Sequence, residues 1–250
     1  MVPLIDRNPT RRTAWITILL IVVNVAVFVL LQGGGGADDR TTLEFTYEHA
    51  AIPCEIVRQR PLTVSEINTD SCPDSVPARA RVAFPDKHVD WSIIVSMFLH
   101  ASWLHLGGNM LFLWIFGNNV EDKLGPVVYL AAYLLGGIAA TAAQMAIDPT
   151  STVPLLGASG AIAAVMGAYV IWWPRARILT WVPLLLILVV ELPAWVVLGF
   201  WFVSQFFTQD SGGVAWMAHV GGFAFGVALA SFVRNTAWWQ RRTALSRQAF

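Results

Sequence analysis

Charged residues and cysteines are scarce in this chain of 250 residues. Aspartate, glutamate, lysine and arginine make up 13% of it, whereas soluble domains carry about 25%. The 16 basic residues balance the 16 acidic ones, so no basic surface points to a nucleic-acid partner. Two cysteines are too few for a disulfide-rich scaffold or for the usual multi-cysteine metal sites.

Apolar residues are abundant instead. They form 56% of the chain, against roughly 45–50% in soluble domains. Several runs are long enough to cross the ~30 Å hydrocarbon core of a bilayer as helices. The composition therefore predicts an all-α integral membrane protein that crosses the lipid bilayer several times.

We predict six spans. The first covers about residues 14–31 and is longer than the apolar core of a signal peptide. Residues 178–208 are apolar except for Glu191, but they are too few for two full spans. We therefore expect one span there, preceded by an interfacial or re-entrant piece at 178–192. The other spans are placed at about 93–116, 127–147, 158–173, 193–207 and 214–233.

Arginines near the span ends predict the orientation, because short arginine-rich loops stay in the cytoplasm. They precede the first span and follow the fourth and sixth, which places both termini in the cytoplasm. We divide the chain into a tail at 1–13, a membrane domain at 14–235 and a second tail at 236–250. The polar segment 33–90 becomes a long extracytoplasmic loop between the first two spans. We expect the chain in a bacterial inner (plasma) membrane.

Four polar residues fall in the outer halves of spans that run in the same direction. His105 and Asn109 are four residues apart in the second span, so they share one helix face. Ser159 opens the fourth span, and His219 lies early in the sixth. Each could simply hydrogen-bond a neighbouring helix, but their common depth predicts that they meet.

Small residues accompany two of these polar groups. Around Ser159 they leave space for close approach, and after His219 they form a small-xxx-small surface that can bring two helices together. Helix packing alone would explain the spacing, but not a histidine one turn before the contact and level with a serine. The glycines predicted to permit this approach are Gly157, Gly160, Gly222 and Gly226.

A serine and a histidine at one depth indicate nucleophilic catalysis. A serine hydroxyl is a weak nucleophile, so His219 must take the proton of Ser159. No acidic residue lies near them at that depth, which makes the pair a dyad. The Ser159 backbone N–H at a helix N-terminus and the His105 and Asn109 side chains would stabilise an oxyanion. This chemistry needs neither a metal nor a cofactor.

Over about residues 91–234, these motifs resemble those of the rhomboid intramembrane serine proteases. The resemblance implies a six-helix core, a water-filled cavity open to the outer face, and endopeptidase cleavage of single-pass or other transmembrane proteins near their outer ends. By position, Ser159 resembles the nucleophile and His219 the base. His105 and Asn109 resemble the oxyanion stabilisers. The matching segments are 98–101, 105–109, 121–125, 157–160, and 218–219 followed by Gly222 and Gly226.

The chain departs from the family pattern at two places. In some bacterial members a tyrosine four residues after the nucleophile stacks on the histidine, and here Ala163 occupies that position. The Trp-Arg pair often found before the second span is Trp91-Ser92 here. Residues 208–216 resemble the family's mobile loop over the site.

Three other functions compete with this interpretation. An inactive rhomboid-like protein would bind membrane clients without cutting them, although such relatives usually lack the serine or the histidine. A zinc hydrolase could use His100, His105 and His219, because three histidines are a known zinc ligand set. A transporter or channel would show several intramembrane charges, and here Glu191 is the main one.

Cys54 and Cys72 both lie in the loop that we place outside the membrane. If that compartment is oxidising, we predict a disulfide between them. Two free thiols are the alternative.

Overall fold

A computed structural model describes residues 1–34, 40–182, 188–208 and 215–236. Most of the predicted C-terminal tail, from 237 onward, lies outside the described residues. So do residues 209–214 of the segment that resembles the family's mobile loop.

The described chain is mostly helical. The first helix, α1 (Trp15–Ala26), continues at its C-terminal end as a π-helical turn over Val27–Leu31. The ten helices of the described residues, in chain order, are α1 Trp15–Ala26, α2 Arg40–His49, α3 Pro53–Arg58, α4 Val64–Thr69, α5 Val89–Ser96, α6 Trp103–Leu124, α7 Pro126–Ile147, α8 Ser159–Trp172, α9 Ala194–Gln205 and α10 Trp216–Arg234.

Two of these helices, α7 and α10, are long and apolar enough to cross a membrane by length and composition. Shorter apolar helices cover Trp15–Leu31, Ser159–Trp172 and Ala194–Gln205. The mostly helical fold is therefore established, and the six-span arrangement stays a prediction.

The second predicted span is wrong at both ends. Helix α5 ends at Ser96, and the chain turns before α6 begins at Trp103, where the Ser102 side chain accepts a hydrogen bond from the His105 N–H. The predicted loop at 117–126 is helical up to Leu124. Only Gly125, with a φ of 84°, separates α6 from α7, and this positive φ suits glycine.

The all-α prediction is also wrong, because three strands form an antiparallel sheet. In sheet order they are β1 Val2–Asp6, β2 Arg177–Val182 and β3 Leu188–Pro193. Strand β1 lies within the predicted N-terminal tail, and the predicted re-entrant piece at 178–192 contributes the other two. Ile178 and Thr180 are buried on one face, and this alternation is typical of a half-buried strand.

Glu191 lies in this sheet rather than in a span. Its carboxylate is 3.3 Å from Arg7 Nε and 3.7 Å from Arg177 Nη1. The acidic residue that we interpreted as an intramembrane charge is therefore part of a partly exposed ion-pair group on the sheet.

Helix α8 lies at the centre of the bundle, and every residue from Gly160 to Tyr169 in it is buried. Its contact with α10 is backbone against backbone. A Cβ atom on Gly222 would overlap the carbonyl oxygen of Gly160, and one on Gly226 would overlap that of Ala164. Glycine at these positions is what lets the two helices approach this closely.

We call residues 40–96, with helices α2 to α5, the cap. A disulfide joins Cys54 to Cys72 in the cap. Two ion pairs, Arg60–Glu66 at 2.6 Å and Lys87–Glu55 at 2.5 Å, bury carboxylates that are 2% exposed. Burial favours a raised pKa for Glu66, but hydrogen bonds from Arg60 and Thr63 outweigh it and lower the pKa to about 2.

The cap is bonded to the connection between α7 and α8. The Cys54 N–H donates to the Ser151 carbonyl oxygen at 3.0 Å, and the Leu155 N–H donates to the Ala51 carbonyl oxygen at 2.7 Å. At the end of this connection, the Gly157 N–H donates to the Ser96 carbonyl oxygen at 2.9 Å. The backbone leading into α8 is therefore held by the cap.

Candidate active site

Ser159 and His219 contact each other between α8 and α10. The distance from Ser159 Oγ to His219 Nε2 is 2.8 Å, which is a hydrogen bond. Ser159 is the first residue of α8, and His219 lies one turn before Gly222 on α10. The contact between Gly222 and the Gly160 backbone therefore brings the two side chains together.

The other ring nitrogen of His219 contacts a residue that the sequence analysis missed. His219 Nδ1 is 2.7 Å from Oε1 of Gln205, the last residue of α9. The ring of Trp201, one turn earlier on α9, lies 5.8 Å from the imidazole, measured between centroids. A single amide at the end of an apolar helix was the available signal, and we had treated Glu191 as the main polar residue of that run.

His105 lies on the opposite side of the serine. The Ala101 N–H donates to His105 Nδ1 at 3.4 Å, so the neutral ring carries its proton on Nε2. This nitrogen lies over Gly157, where an added Cβ atom would come within 2.8 Å of it. Gly157 has a φ of 114°, and a side chain would be strained there as well as crowded.

Asn109 places a second donor beside the first. It lies one turn after His105 on α6 and is 8% exposed. Its Nδ2 atom has no hydrogen-bond partner in the described protein, although it is buried. An added Cβ on Gly157 would lie 3.5 Å from this atom. Two donors therefore converge on the backbone just before Ser159.

Two cavities meet at the serine. The larger, of about 500 Å³, is lined by His105, Ser159 and His219 and has the α7–α8 connection as a wall. The smaller, of about 260 Å³, shares these three residues and extends between apolar side chains. The apolar residues of the smaller cavity are Leu104, Phe112, Ile162, Met166 and Trp201.

Gln144 on α7 holds the start of α10. Its Oε1 atom accepts hydrogen bonds from the Met217 N–H at 3.1 Å and the Ala218 N–H at 3.2 Å. The first N–H groups of a helix have no partner within the helix. Gln144 thus anchors the turn that carries His219, and no pattern in the sequence marks this residue.

His100 does not join the other polar residues at the serine. It is fully buried, both ring nitrogens lack a hydrogen-bond partner in the described protein, and its ring lies edge-on against His105 at 5.1 Å. The backbone of His100 exchanges two hydrogen bonds with the Gln32 side chain, at 3.0 and 2.9 Å. Within the described residues, no three histidine, cysteine or acidic side chains are grouped as metal ligands would be.

The fold and the site define a class of helical protein with a half-buried serine–histidine pair between two apolar helices. A comparison with known protein families matches residues 87–236 to the Rhomboid domain. This is more than half of the chain and includes both helices of the pair. The chain therefore belongs to the rhomboid family, and the resemblance found in its motifs is confirmed.

Several curated relatives match over part of their length. Rhomboid protein 1, mitochondrial, of Saccharomyces cerevisiae is 31% identical over 62% of this chain and 45% of the relative. RHOMBOID-like protein 6, mitochondrial, of Arabidopsis thaliana is 28% identical over 65% of this chain and 52% of the relative. Presenilin-associated rhomboid-like protein, mitochondrial, of Bos taurus is 27% identical over 60% and 40%. The chain spans about half the length of these relatives or less.

The expected location in a bacterial inner membrane is wrong. The three relatives above are named as mitochondrial proteins of eukaryotes, which points away from a bacterial plasma membrane. The physical reason for the error is that arginine-rich loops orient a span relative to its membrane but do not identify the membrane.

Proposed function

We propose that this chain is an intramembrane serine endopeptidase in which Ser159 and His219 act as a catalytic dyad. The observation that carries the proposal is the 2.8 Å contact between Ser159 Oγ and His219 Nε2, where two cavities meet. The substrates we propose are single-pass or other transmembrane proteins. Their cleaved segment would enter the larger cavity.

In the proposed reaction, Ser159 Oγ attacks the carbonyl carbon of the scissile peptide bond while His219 Nε2 takes the hydroxyl proton. A C–O bond forms, and the carbonyl oxygen becomes an oxyanion. When the C–N bond breaks, His219 returns the proton to the leaving amine. Water then attacks the acyl-enzyme, again with His219 as base, and releases Ser159.

Three donors around Gly157 would stabilise the oxyanion. They are the Ser159 backbone N–H in the first turn of α8, His105 Nε2 and Asn109 Nδ2. Among the described residues the buried Asn109 Nδ2 has no hydrogen-bond partner, and this supports the role because a buried donor without a partner is costly to keep. Removing one oxyanion donor typically costs ~2.7–4 kcal/mol of transition-state stabilisation.

Exposed apolar side chains support a membrane position for the bundle. Leu104 is 87% exposed, Val127 79% and Phe232 72%, whereas soluble monomers rarely expose large apolar patches. Helix α8 has 14 residues and is therefore about 21 Å long, shorter than the ~30 Å hydrocarbon core. We propose six spans around α8, with Ser159 below the membrane surface and reached by water through the larger cavity.

The test is cleavage of a model transmembrane substrate in liposomes, together with labelling by a fluorophosphonate. Ser159→Ala should abolish both, because alanine fits the site and removes only the nucleophile. His219→Ala should cost nearly as much as the double change, since catalytic partners are strongly non-additive. Ser231→Ala, a serine on α10 away from the site, is the matched control and should cut like the wild type.

Three results would contradict the proposal. Cleavage that persists in Ser159→Ala would exclude the serine mechanism, and loss of wild-type cleavage in chelator would favour the zinc alternative. A folded wild-type protein that neither cuts nor reacts with the fluorophosphonate would favour a client-binding protein without activity.

A further inference from the structure

The contact between His219 and Gln205 has no counterpart in the motifs that placed the chain in its family. We infer that Gln205 is a positioning residue that holds His219 in the tautomer able to accept the serine proton. The inference rests on the proposed function for its catalytic consequence. Its structural content, the position of one proton on His219, can be measured independently.

The orientation of the Gln205 amide follows from its neighbours on α9. Its Nε2 atom is 2.9 Å from the Trp201 carbonyl oxygen and 3.2 Å from Ser204 Oγ. A backbone carbonyl oxygen can only accept, so the NH₂ group must face it. The amide oxygen is therefore the atom that faces His219, at 2.7 Å from Nδ1.

That orientation decides the tautomer. An amide oxygen can only accept, so His219 Nδ1 must carry a hydrogen and donate it. In the neutral ring, Nε2 is then without a hydrogen and accepts from Ser159 Oγ at 2.8 Å. The alternative tautomer would place a hydrogen between Nε2 and the serine and leave two acceptors facing each other at Nδ1.

Helix α9 also supplies what α8 lacks. Ala163 stands where some family members carry a tyrosine against the histidine, and it is fully buried beneath the contact with Gly222. The Trp201 ring instead lies beside the imidazole, at 5.8 Å between centroids. Gln205 and Trp201 are one turn apart on the same helix. One helix thus supplies both the hydrogen-bond partner of Nδ1 and an aromatic side chain beside the ring.

An amide suits this position better than a carboxylate does. Gln205 is 5% exposed at the end of an apolar helix, where burial of an unpaired charge is costly. A neutral acceptor fixes the tautomer without that cost. It gives up the charge stabilisation that an aspartate supplies to the imidazolium in a triad.

The activity test uses three variants of the full chain in liposomes. Gln205→Met keeps the side-chain length and removes the acceptor, so kcat should fall about 10- to 100-fold, as for other residues that orient a histidine, while KM changes less than about twofold. Gln205→Glu, protonated in this apolar site, restores an oxygen toward Nδ1 and a donor toward Trp201, and should recover at least about tenfold of that loss. Val203→Met, at a position on α9 that is 54% exposed, should match the wild type.

The tautomer is measured by ¹⁵N NMR of imidazole-labelled protein at a pH where His219 is neutral. The His219 signals are identified by their loss in His219→Asn. In the wild type we expect a hydrogen on Nδ1 and none on Nε2, and in Gln205→Met we expect the Nε2–H tautomer to rise. A substrate is not needed, so the measurement gives the same answer whether or not the protein is a protease.

The outcomes separate the two proposals. A wild-type His219 with its hydrogen on Nε2, or a Gln205→Met variant that cuts at the wild-type rate, would overturn the role of Gln205 and leave the dyad intact. A Gln205→Glu variant as weak as Gln205→Met would also overturn it. A wild-type protein with the Nδ1–H tautomer and no cleavage would overturn the proposed protease instead.

Discussion

The bundle around α8 and the cap hold their helices together by different kinds of interaction. In the bundle, helices α8 and α10 meet backbone to backbone at Gly222 and Gly226, with no charge at the contact. In the cap, a disulfide and two buried ion pairs hold short helices together around the small core of Ile52, Cys54 and Leu62. The bundle is therefore held by the close fit of helix backbones, and the cap is held by a disulfide and ion pairs.

This difference determines how each region should fail. Shape at a glycine contact tolerates almost no added volume, because the overlapping atom is a backbone carbonyl that cannot move away. A disulfide or an ion pair can be removed without adding volume, so the cap should loosen while the bundle keeps its geometry. The cap is linked to the site through the hydrogen bonds that hold the α7–α8 connection.

The largest effect is expected for Gly222→Ala. One added methyl group overlaps the Gly160 carbonyl oxygen and pushes α10 away from α8. Cleavage should fall about 100-fold or more, because a displacement of ~1 Å can cost that much. Gly199→Ala is the matched control, since a Cβ there meets nothing within 4 Å, and it should retain full activity in the same liposome assay. Equal activity of the two variants would show that the glycine contact does not align the dyad.

A smaller effect is expected when the disulfide is removed. Cys54→Ser with Cys72→Ser should lower the unfolding free energy of the cap by roughly 3 kcal/mol, while cleavage falls less than about tenfold. Hydrogen exchange of residues 50–72 measures the first effect and the liposome assay the second. Reduction of the wild type is the control and should give the same pair of results. Loss of activity as complete as in Gly222→Ala, with the cap still protected, would mean that the two regions are not separable.

The smallest effect concerns pH. The pKa of Glu66 is lowered from 4.5 to about 2, so its contribution to cap stability is fully present above about pH 4.5. As the pH falls from there toward about 2, that contribution is lost. Cap stability, followed by hydrogen exchange, should therefore decline over this window in the wild type and decline less in Glu66→Gln.

Glu44 provides the control for the pH experiment. It pairs with Arg40 at 3.0 Å, but the two side chains are 59% and 90% exposed. Exposed pairs contribute little, so Glu44→Gln should leave the pH profile unchanged. A Glu66→Gln profile identical to that of the wild type would contradict a stabilising role for the buried pair.

Runs of apolar residues predicted the positions of the later helices well and that of α6 poorly. Helices α7 to α10 lie within a few residues of the predicted apolar runs. The end of α6 was misjudged because three charged residues follow Asn119. In the structure, Glu121 accepts hydrogen bonds from the Ile16 and Thr17 N–H groups at the start of α1, at 2.9 and 2.7 Å. A helix N-terminus stabilises a carboxylate, so the charge did not require a loop.

The sequence predicted only part of the site, because some of its residues belong to a recognisable sequence pattern and others do not. Ser159 and His219 are flanked by small residues, and the predicted orientation of their spans placed the two side chains at the same depth. Gln144 and Gln205 carry no such pattern, and what makes them important is a contact with a helix distant in sequence. The sheet was not predicted for the same reason. Strand β2 is apolar enough to resemble a membrane segment, and its partner strand β1 lies far away in the sequence.

The pairing of β1 with β2 also determines when the sheet can form during synthesis of the chain. Val2 pairs with Trp181, about 180 residues further along the chain. At synthesis rates of about 5–20 residues per second, residues 2–6 wait roughly ten to forty seconds for their partner strand to be made. Residues 7–14 connect this strand to helix α1, so the start of α1 is linked to a segment that has no sheet to join during that interval. The sheet therefore cannot form until most of the chain has been made, and of the described helices only α9 and α10 follow its last strand.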